Sequence, residues 1–158
     1  MYLTISLILF IIISLIYNLY IILKYKTIPV SLSETSYILG GFKRYWFSAY
    51  CVLVSFLILP NLLTILPESI MFLGFLMSSG LLFAGMSPLF KEGMDKTIHY
   101  ASAIVSFVTF ILLLILLKPW LLLWYCICLV PFILWKKDCY VYFAEMLVHI
   151  FIILLLII

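Results

Sequence analysis

The chain has 158 residues, of which 68% are hydrophobic and 18% aromatic, and its mean hydropathy is +1.39. Nine Lys or Arg and six Asp or Glu make 9% charged residues, against the roughly 25% that is usual in soluble domains. This composition excludes a soluble globular domain, a disordered segment and a nucleic-acid-binding domain. The sequence predicts one all-α domain that is solvated mainly by lipid.

Six apolar runs, separated by charged or proline-bearing breaks, follow one another along the chain. A hydrocarbon core of about 30 Å takes about 20 helical residues, and each run is near that length. Because residues 1–23 hold no Lys or Arg and no small-residue cleavage site follows them, we expect a helix there and not a signal peptide. The sequence predicts an integral membrane bundle of six transmembrane helices, over 3–23, 45–66, 69–90, 97–117, 119–135 and 139–158.

The one long break, residues 24–44, has a pattern of its own. Ser31 and Glu34 have the spacing of a capping box, and Gly40-Gly41 is typical of a helix stop. These features predict a short interfacial helix over 32–39 at the membrane surface. The residues expected to contact lipid are Leu32, Tyr37, Ile38 and Leu39, and those expected to face water are Glu34, Thr35 and Ser36.

The distribution of Lys and Arg predicts the orientation of the helices. The first, third and fifth breaks hold all of these residues except Lys118. By the positive-inside rule, the three basic breaks face the cytoplasm. We therefore expect a multi-pass protein of the cell membrane with both termini on the non-cytoplasmic side. The basic residues are Lys24, Lys26, Lys43, Arg44, Lys91, Lys96, Lys136 and Lys137.

Small residues are concentrated in the third and fourth runs. In lipid, such residues let helix backbones approach closely, so we expect these two helices at the centre and the first, fifth and last at the periphery. The four cysteines are expected to be packing residues. The small residues are Gly74, Ser78, Ser79, Gly80, Ala84 and Gly85, followed by Ala101, Ser102, Ala103 and Ser106.

Glu145 is the charged residue that lies well inside an apolar run, and His149 follows four residues later on the same helix face. Ionisable groups inside a membrane are costly and mark a functional-site hypothesis by default. Two interpretations stay open: a polar pair that anchors helix packing, or a pair that shares a proton, binds a metal or lines a polar path. In both, we expect the pair to point into the bundle. The expected neighbours are Ser78, Ser79, Ser102 or Ser106.

A second polar cluster is expected near the cytoplasmic surface. Pro88 should end the third helix, and His99 should then lie one turn into the fourth. His99 is expected either to hold this turn together or to join Glu145 or an acidic neighbour in a site. At about 1.5 Å per residue, His99 lies near the surface and His149 near the bilayer middle, so convergence of both with Glu145 is not expected. The candidate cluster is Asp95, His99, Ser102 and Asp138.

Three stretches carry a resemblance to known proteins: residues 31–37, residues 71–91 and His99-Tyr100-Ala101. They resemble a family of small, uncharacterised polytopic membrane proteins from gut Bacteroidetes and their phages, over about residues 31–108. The resemblance implies a bacterial or phage source and no particular activity. More distantly, the Gly-x-x-Pro turn followed by His is similar to six-helix proteins of the Frag/DRAM/Sfk type. Ceramidase-like hydrolases hold zinc with three histidines, and this chain has two, so that site is not reproduced.

Two classes of function follow from these features. The first is a non-enzymatic membrane protein that acts on membrane lipids or on a membrane partner, either another protein or a second copy of the chain. The second is a small intramembrane metal-dependent hydrolase or proton-coupled carrier that uses Glu145, His149 and, in one version, His99. No cofactor is predicted, and whether the protein is an enzyme stays open.

Overall fold

The computed structural model describes residues 2–26, 28–87, 92–135 and 138–158. Within these ranges the chain is helical and has no β-strand. Short 3₁₀ helices over Gly41–Arg44 and Glu68–Ile70 lead into the third and fourth α-helices. The α-helices are α1 (Tyr2–Tyr25), α2 (Thr35–Leu39), α3 (Tyr45–Ile65), α4 (Met71–Met86), α5 (Glu92–Leu117), α6 (Pro119–Trp135) and α7 (Tyr140–Ile157).

Five of these helices are long and apolar enough to cross a membrane: α1, α3, α4 with its preceding 3₁₀ turn, α5 and α7. α6 is also apolar, but its 17 residues extend over about 25 Å at 1.5 Å per residue. These lengths and compositions are those of a membrane protein. A helix lies in each of the six predicted apolar runs, and the crossing of a membrane by α6 stays a prediction.

Contacts between α1, α3 and α7 establish their relative directions. Asn61 near the end of α3 donates a hydrogen bond to Ser6 near the start of α1, at 2.7 Å. Tyr142 near the start of α7 donates to Asn18 near the end of α1, also at 2.7 Å. α1 is therefore antiparallel to both α3 and α7, and the start of α1 and the end of α7 lie at the same end of the bundle.

The opposite end carries the basic residues that surround α2, and we call it the basic end. Here the ring centroids of Phe47 in α3 and His99 in α5 are 6.3 Å apart. The Tyr142 amide at the start of α7 donates to the carbonyl oxygen of Val30 at 2.9 Å. These contacts bring the starts of α3, α5 and α7 to the same end as the segment that follows α1.

α3 and α4 form the centre of the bundle, whereas the sequence predicts α4 and α5. In an 18-residue apolar stretch of each helix, 44% of α3 is buried and 22% of α5 is buried. α3 packs against α1, α4 and α7. The predicted close approach of α4 and α5 does occur. A Cβ atom on Gly80 would lie 2.7 Å from the Ser102 carbonyl oxygen, so the two backbones touch there.

The predicted peripheral position is wrong for α1 and α7. Phe10 and Ile21 of α1 and Ile152 of α7 are almost completely buried. Leu, Ile and aromatic side chains are equally compatible with lipid and with protein, so an apolar helix without small residues still packs centrally when its polar groups find partners there.

The segment over residues 28–39 packs into the bundle instead of lying flat on a surface. The Glu34 amide donates to Ser31 Oγ at 3.2 Å, as the capping box predicts, but the Glu34 carboxylate accepts from the Val30 amide. The predicted water-facing side is wrong for Thr35 and Ser36, which are both buried. The cause is a hydrogen bond of 2.5 Å between Thr35 Oγ1 and the Tyr17 hydroxyl of α1.

Leu32 and Leu39, which were expected to contact lipid, are instead buried in the protein. The helical part of this segment begins at Thr35 rather than at residue 32, because residues 32–34 form a turn. Gly40 ends α2 with a φ of 60°, as the predicted stop requires. The expected helix end at Pro88 and the basic residues Lys91, Lys136 and Lys137 lie outside the described residues.

Candidate functional site

A cavity between α3, α4, α5 and α7 collects the ionisable residues that the sequence singles out. Its volume is about 100 Å³, and Glu145, His149 and His99 all line it. His99, Glu145 and His149 thus border one elongated cavity, and the expectation that they do not converge on a single site stays a prediction. The cavity follows α5 from His99 to Phe107, a length of about 12 Å at 1.5 Å per residue, and this length bridges the axial offset.

Apart from these residues the wall of the cavity is mainly apolar. α4 contributes Leu81 and Ala84, α5 contributes Ala103 and Phe107, and α7 contributes Val148. Among the described residues, no group of three or more His, Cys, Asp or Glu side chains lies close enough together to hold a metal ion. The site is therefore a mainly apolar cavity with a few polar atoms at defined positions.

His149 is buried and has a partner at each ring nitrogen. Its Nδ1 lies 2.7 Å from the backbone carbonyl oxygen of Glu145, and because a carbonyl only accepts, Nδ1 carries the hydrogen. In the neutral ring Nε2 then accepts from the Tyr50 hydroxyl, 3.0 Å away on α3. The Phe10 ring packs against the imidazole at a centroid distance of 5.8 Å. This histidine is held rigidly by the protein.

The carboxylate of Glu145 binds the segment that follows α1. Its Oε2 accepts a hydrogen bond from the Leu32 amide at 2.6 Å. Oε1 has no hydrogen-bond partner among the described residues. Glu145 and His149 are thus linked through the backbone carbonyl of Glu145, while the carboxylate itself reaches a different part of the chain and leaves one oxygen for the cavity.

The pair points into the bundle as expected, and of the four expected serine neighbours Ser106 borders the same cavity, without a hydrogen bond to Glu145 or His149. Ser106 lines the same cavity, and its hydroxyl donates to the Met77 carbonyl oxygen at 2.9 Å. Ser78 and Ser79 line a separate cavity of about 60 Å³ between α3 and α4. The Ser106 hydroxyl is thus engaged with α4, and Ser78 Oγ has no hydrogen-bond partner among the described residues, whereas the longer Tyr50 side chain reaches His149.

His99 joins the end of α4 to the start of α5. Its Nδ1 lies 3.0 Å from the Ala84 carbonyl oxygen and 3.1 Å from Ser87 Oγ. These contacts support the interpretation in which the histidine holds the turn together. As with His149, the carbonyl contact requires the hydrogen on Nδ1. Nε2 is then an acceptor, and it has no partner among the described residues.

The expected polar cluster around His99 is not assembled within the described side chains. Asp138 is exposed in the turn before α7, and Ser102 is half-buried on α5 without a hydrogen bond to His99. Asp95 lies in α5, but its side chain is outside the description. His99 instead faces the cavity that Glu145 and His149 also line.

The sequence analysis did not single out a buried polar network between α1, α3 and α7. The Tyr142 hydroxyl donates to Asn18 Oδ1, and Asn18 Nδ2 donates to the Ser14 carbonyl oxygen at 2.8 Å. The Tyr50 hydroxyl lies 3.4 Å from Ser14 Oγ, and its ring stacks on Tyr17 at a centroid distance of 4.3 Å. This network connects α1 to the histidine at the cavity.

A signal for this network is present in the sequence. Ser6, Phe10, Ser14 and Asn18 recur at every fourth position, and residues four apart lie on one helix face. Three polar residues on one stripe of an otherwise apolar helix predict a face that is turned towards protein rather than lipid.

The chain was compared with family models, with curated proteins and with solved structures, and none of the three comparisons gave a match. The resemblance to small membrane proteins of gut Bacteroidetes and their phages therefore stays a prediction.

Proposed function

We propose that this chain is a six-span membrane protein that binds an apolar chain of a membrane lipid in the cavity between α3, α4, α5 and α7. The observation that carries the proposal is the composition of the wall, which is mainly apolar and has a few polar side chains, Ser33, Tyr50, Cys51, His99, Ser106, Glu145 and His149. Concave apolar sites with a small number of placed polar groups are typical of ligand sites.

The size of the cavity supports a chain segment as its occupant. Its volume is about 100 Å³, while an engineered apolar cavity of about 150 Å³ holds one benzene molecule. The cavity therefore takes a few carbons of a chain, and the rest of the lipid lies outside it. In this proposal the protein acts by binding the lipid, without catalysis.

The packing of α6 supports its place as a sixth span. Phe132 of α6 stacks on Phe143 of α7 at a centroid distance of 4.2 Å. Tyr125, two turns earlier, contacts Phe151, two turns later, at 5.5 Å. α6 is therefore antiparallel to α7, and its 17 residues lie beside the 18 of α7, so both helices cover nearly the same depth.

Filling the cavity tests the proposal. Ala103 lines the cavity, and Ala101 is exposed on the same helix, so A103F and A101F add the same volume at two places. We expect photoreactive fatty-acyl lipids to label cavity residues of the wild-type protein and of A101F, and the labelling to be lost in A103F. Mass spectrometry of the labelled peptides measures this. Labelling that is unchanged in A103F would contradict the proposal.

One observation favours a second function, a proton-coupled carrier. A chain of hydrogen bonds runs from the Glu145 carbonyl through His149 and Tyr50 towards Ser14, with steps of 2.7, 3.0 and 3.4 Å. This chain connects the cavity with the buried face of α1. Its imidazole and hydroxyl groups can exchange protons. The carrier function differs from lipid binding in one measurable way, because it requires proton flux across a vesicle membrane that holds the purified protein.

A further inference from the structure

We propose that the ligand of this cavity has a protonated amine at the end of its apolar chain, and that the free oxygen of Glu145 binds this amine. The inference rests on the proposed lipid-binding function and adds the chemical class of the ligand. It follows from which hydrogen-bonding atoms of the cavity wall already have a partner and which do not.

The Glu145 carboxyl has no Lys or Arg partner among the described residues of the cavity wall, so its ionised form is unpaired there. The described residues that line the cavity include no Lys and no Arg, and the carboxylate is half-buried among apolar side chains. Charged groups inside a protein or a membrane are paired, because an unpaired charge in an apolar environment is very costly. A cationic ligand supplies the missing partner.

Four donors on the wall are already engaged in hydrogen bonds within the protein. The Leu32 amide donates to Glu145 Oε2, and the Ser106 hydroxyl donates to the Met77 carbonyl. Tyr50 donates to His149, whose own N–H bonds a backbone carbonyl. The wall thus has no spare donor at these groups for a carboxylate or phosphate head.

The atoms that the wall leaves open are acceptors. Glu145 Oε1 and His99 Nε2 have no partner among the described residues, and both side chains line the cavity. An ammonium group carries three N–H donors and no acceptor, so it matches the open oxygen of the Glu145 carboxylate. A hydroxyl head offers one donor and no charge, and an anionic head is repelled by Glu145.

Three probes with the same chain and different heads test this inference on the full-length protein in nanodiscs of zwitterionic lipid. The probes are dodecylamine, dodecanol and dodecanoic acid, and native mass spectrometry measures the affinity of each. We expect the amine to bind at least about tenfold more tightly than the other two, the gain usual for a charge-assisted hydrogen bond. Dodecyltrimethylammonium, which has the charge but no N–H, should bind more weakly than the amine.

Two variants locate the preference. In E145Q the charge is lost while an oxygen remains to accept from the Leu32 amide, so we expect the fold to persist and the three probes to bind equally. In E68Q the same change is made at an exposed residue at the opposite end of the bundle, and the preference for the amine should be unchanged. Circular dichroism and gel filtration check that both variants are folded.

Dodecanol or dodecanoic acid binding as tightly as the amine to the wild-type protein would overturn the inference, whatever the behaviour of the variants. An amine preference that persists in E145Q would overturn it as well. In either case the labelling difference between A103F and A101F is unaffected, so the lipid-binding proposal stands or falls on its own experiment.

Discussion

The hydroxyl of Tyr50 lies between partners on two other helices. It is 3.0 Å from His149 Nε2 on α7 and 3.4 Å from Ser14 Oγ on α1. The Tyr50 ring is buried and stacks on Tyr17, so the side chain combines apolar packing with polar contacts. One tyrosine thus connects α1, α3 and α7 at the level of the cavity.

We predict that Tyr50→Phe lowers the free energy of unfolding by about 1 kcal/mol, the order measured for hydrogen bonds between membrane helices. The ring and its stacking remain, and only the donor to His149 is lost. Tyr37→Phe is the matched control, because Tyr37 is 75% exposed and should leave stability unchanged. Unfolding in mixed micelles of increasing denaturing detergent measures both, and equal stability of Y50F and the wild type would contradict the prediction.

The same variant separates the two proposed functions. A proton-coupled carrier that uses the His149–Tyr50 bond should lose proton flux in proteoliposomes when Tyr50 becomes Phe. A lipid-binding protein should keep its acyl-chain labelling, because the Phe ring still covers that part of the cavity wall.

At the scale of the elements, the segment over residues 28–34 is fastened to α7 by backbone hydrogen bonds. The Leu32 amide donates to the Glu145 carboxylate, and the Tyr142 amide donates to the Val30 carbonyl. Leu32 itself forms part of the cavity wall. Glu145 therefore holds this segment through one carboxylate oxygen and also lines the cavity.

We predict that Glu145→Ala speeds hydrogen exchange at the Leu32 amide by about tenfold, because a hydrogen bond to a charged acceptor contributes roughly 1.5–3 kcal/mol. Glu145→Gln keeps an acceptor oxygen and should stay within a small factor of the wild type. Exchange followed by mass spectrometry of peptides over residues 28–34 gives the comparison. Equal exchange in E145A and E145Q would show that the carboxylate does not hold the segment.

The positions of the helices could be predicted from the sequence, and their partners could not. Runs of apolar residues and the breaks between them indicate where each helix begins and ends, because a backbone in lipid has to satisfy its own hydrogen bonds. The spacing of Glu145 and His149 likewise placed both on an inward face. The helix that this face meets depends on how far side chains extend across the bundle. For this reason Tyr50 and Leu32, and not the expected serines, are the hydrogen-bond partners of the pair.

A cavity shared by His99, Glu145 and His149 was not expected, for a similar reason. An alignment by depth treats each ionisable side chain as a point, whereas the cavity follows two turns of α5 from His99 to Phe107. The polar stripe on α1 could have been predicted from the sequence, since Ser6, Ser14 and Asn18 share one face. Its partner Tyr142, at the start of α7, could not have been predicted, because 124 positions separate it from Asn18.

At the scale of the whole molecule, the arrangement of the helices supports the proposed orientation. α1 is antiparallel to α3 and to α7, and the starts of α3, α5 and α7 meet at the basic end. Among the described residues, Lys24, Lys26, Lys43 and Arg44 lie at this end, and its cytoplasmic location stays a prediction of the positive-inside rule.

We predict that a reporter fused after Ile158 is active only in its non-cytoplasmic form, such as alkaline phosphatase. The same reporter inserted between Gly40 and Gly41 of the full chain should be inactive, because this turn belongs to the basic end. Green fluorescent protein at the two positions should give the opposite pattern. Fluorescence from the fusion after Ile158 would contradict both the six-span count and the orientation.

The hydrogen bonds of α1 also have a consequence for biosynthesis. A ribosome makes α1 first and α7 last, yet the Asn18 side chain receives the hydrogen bond of Tyr142 from α7. Until the last helix enters the bilayer, this amide oxygen on α1 is without that donor. The newly made first helix therefore completes its hydrogen bonds only after α7 has been synthesised.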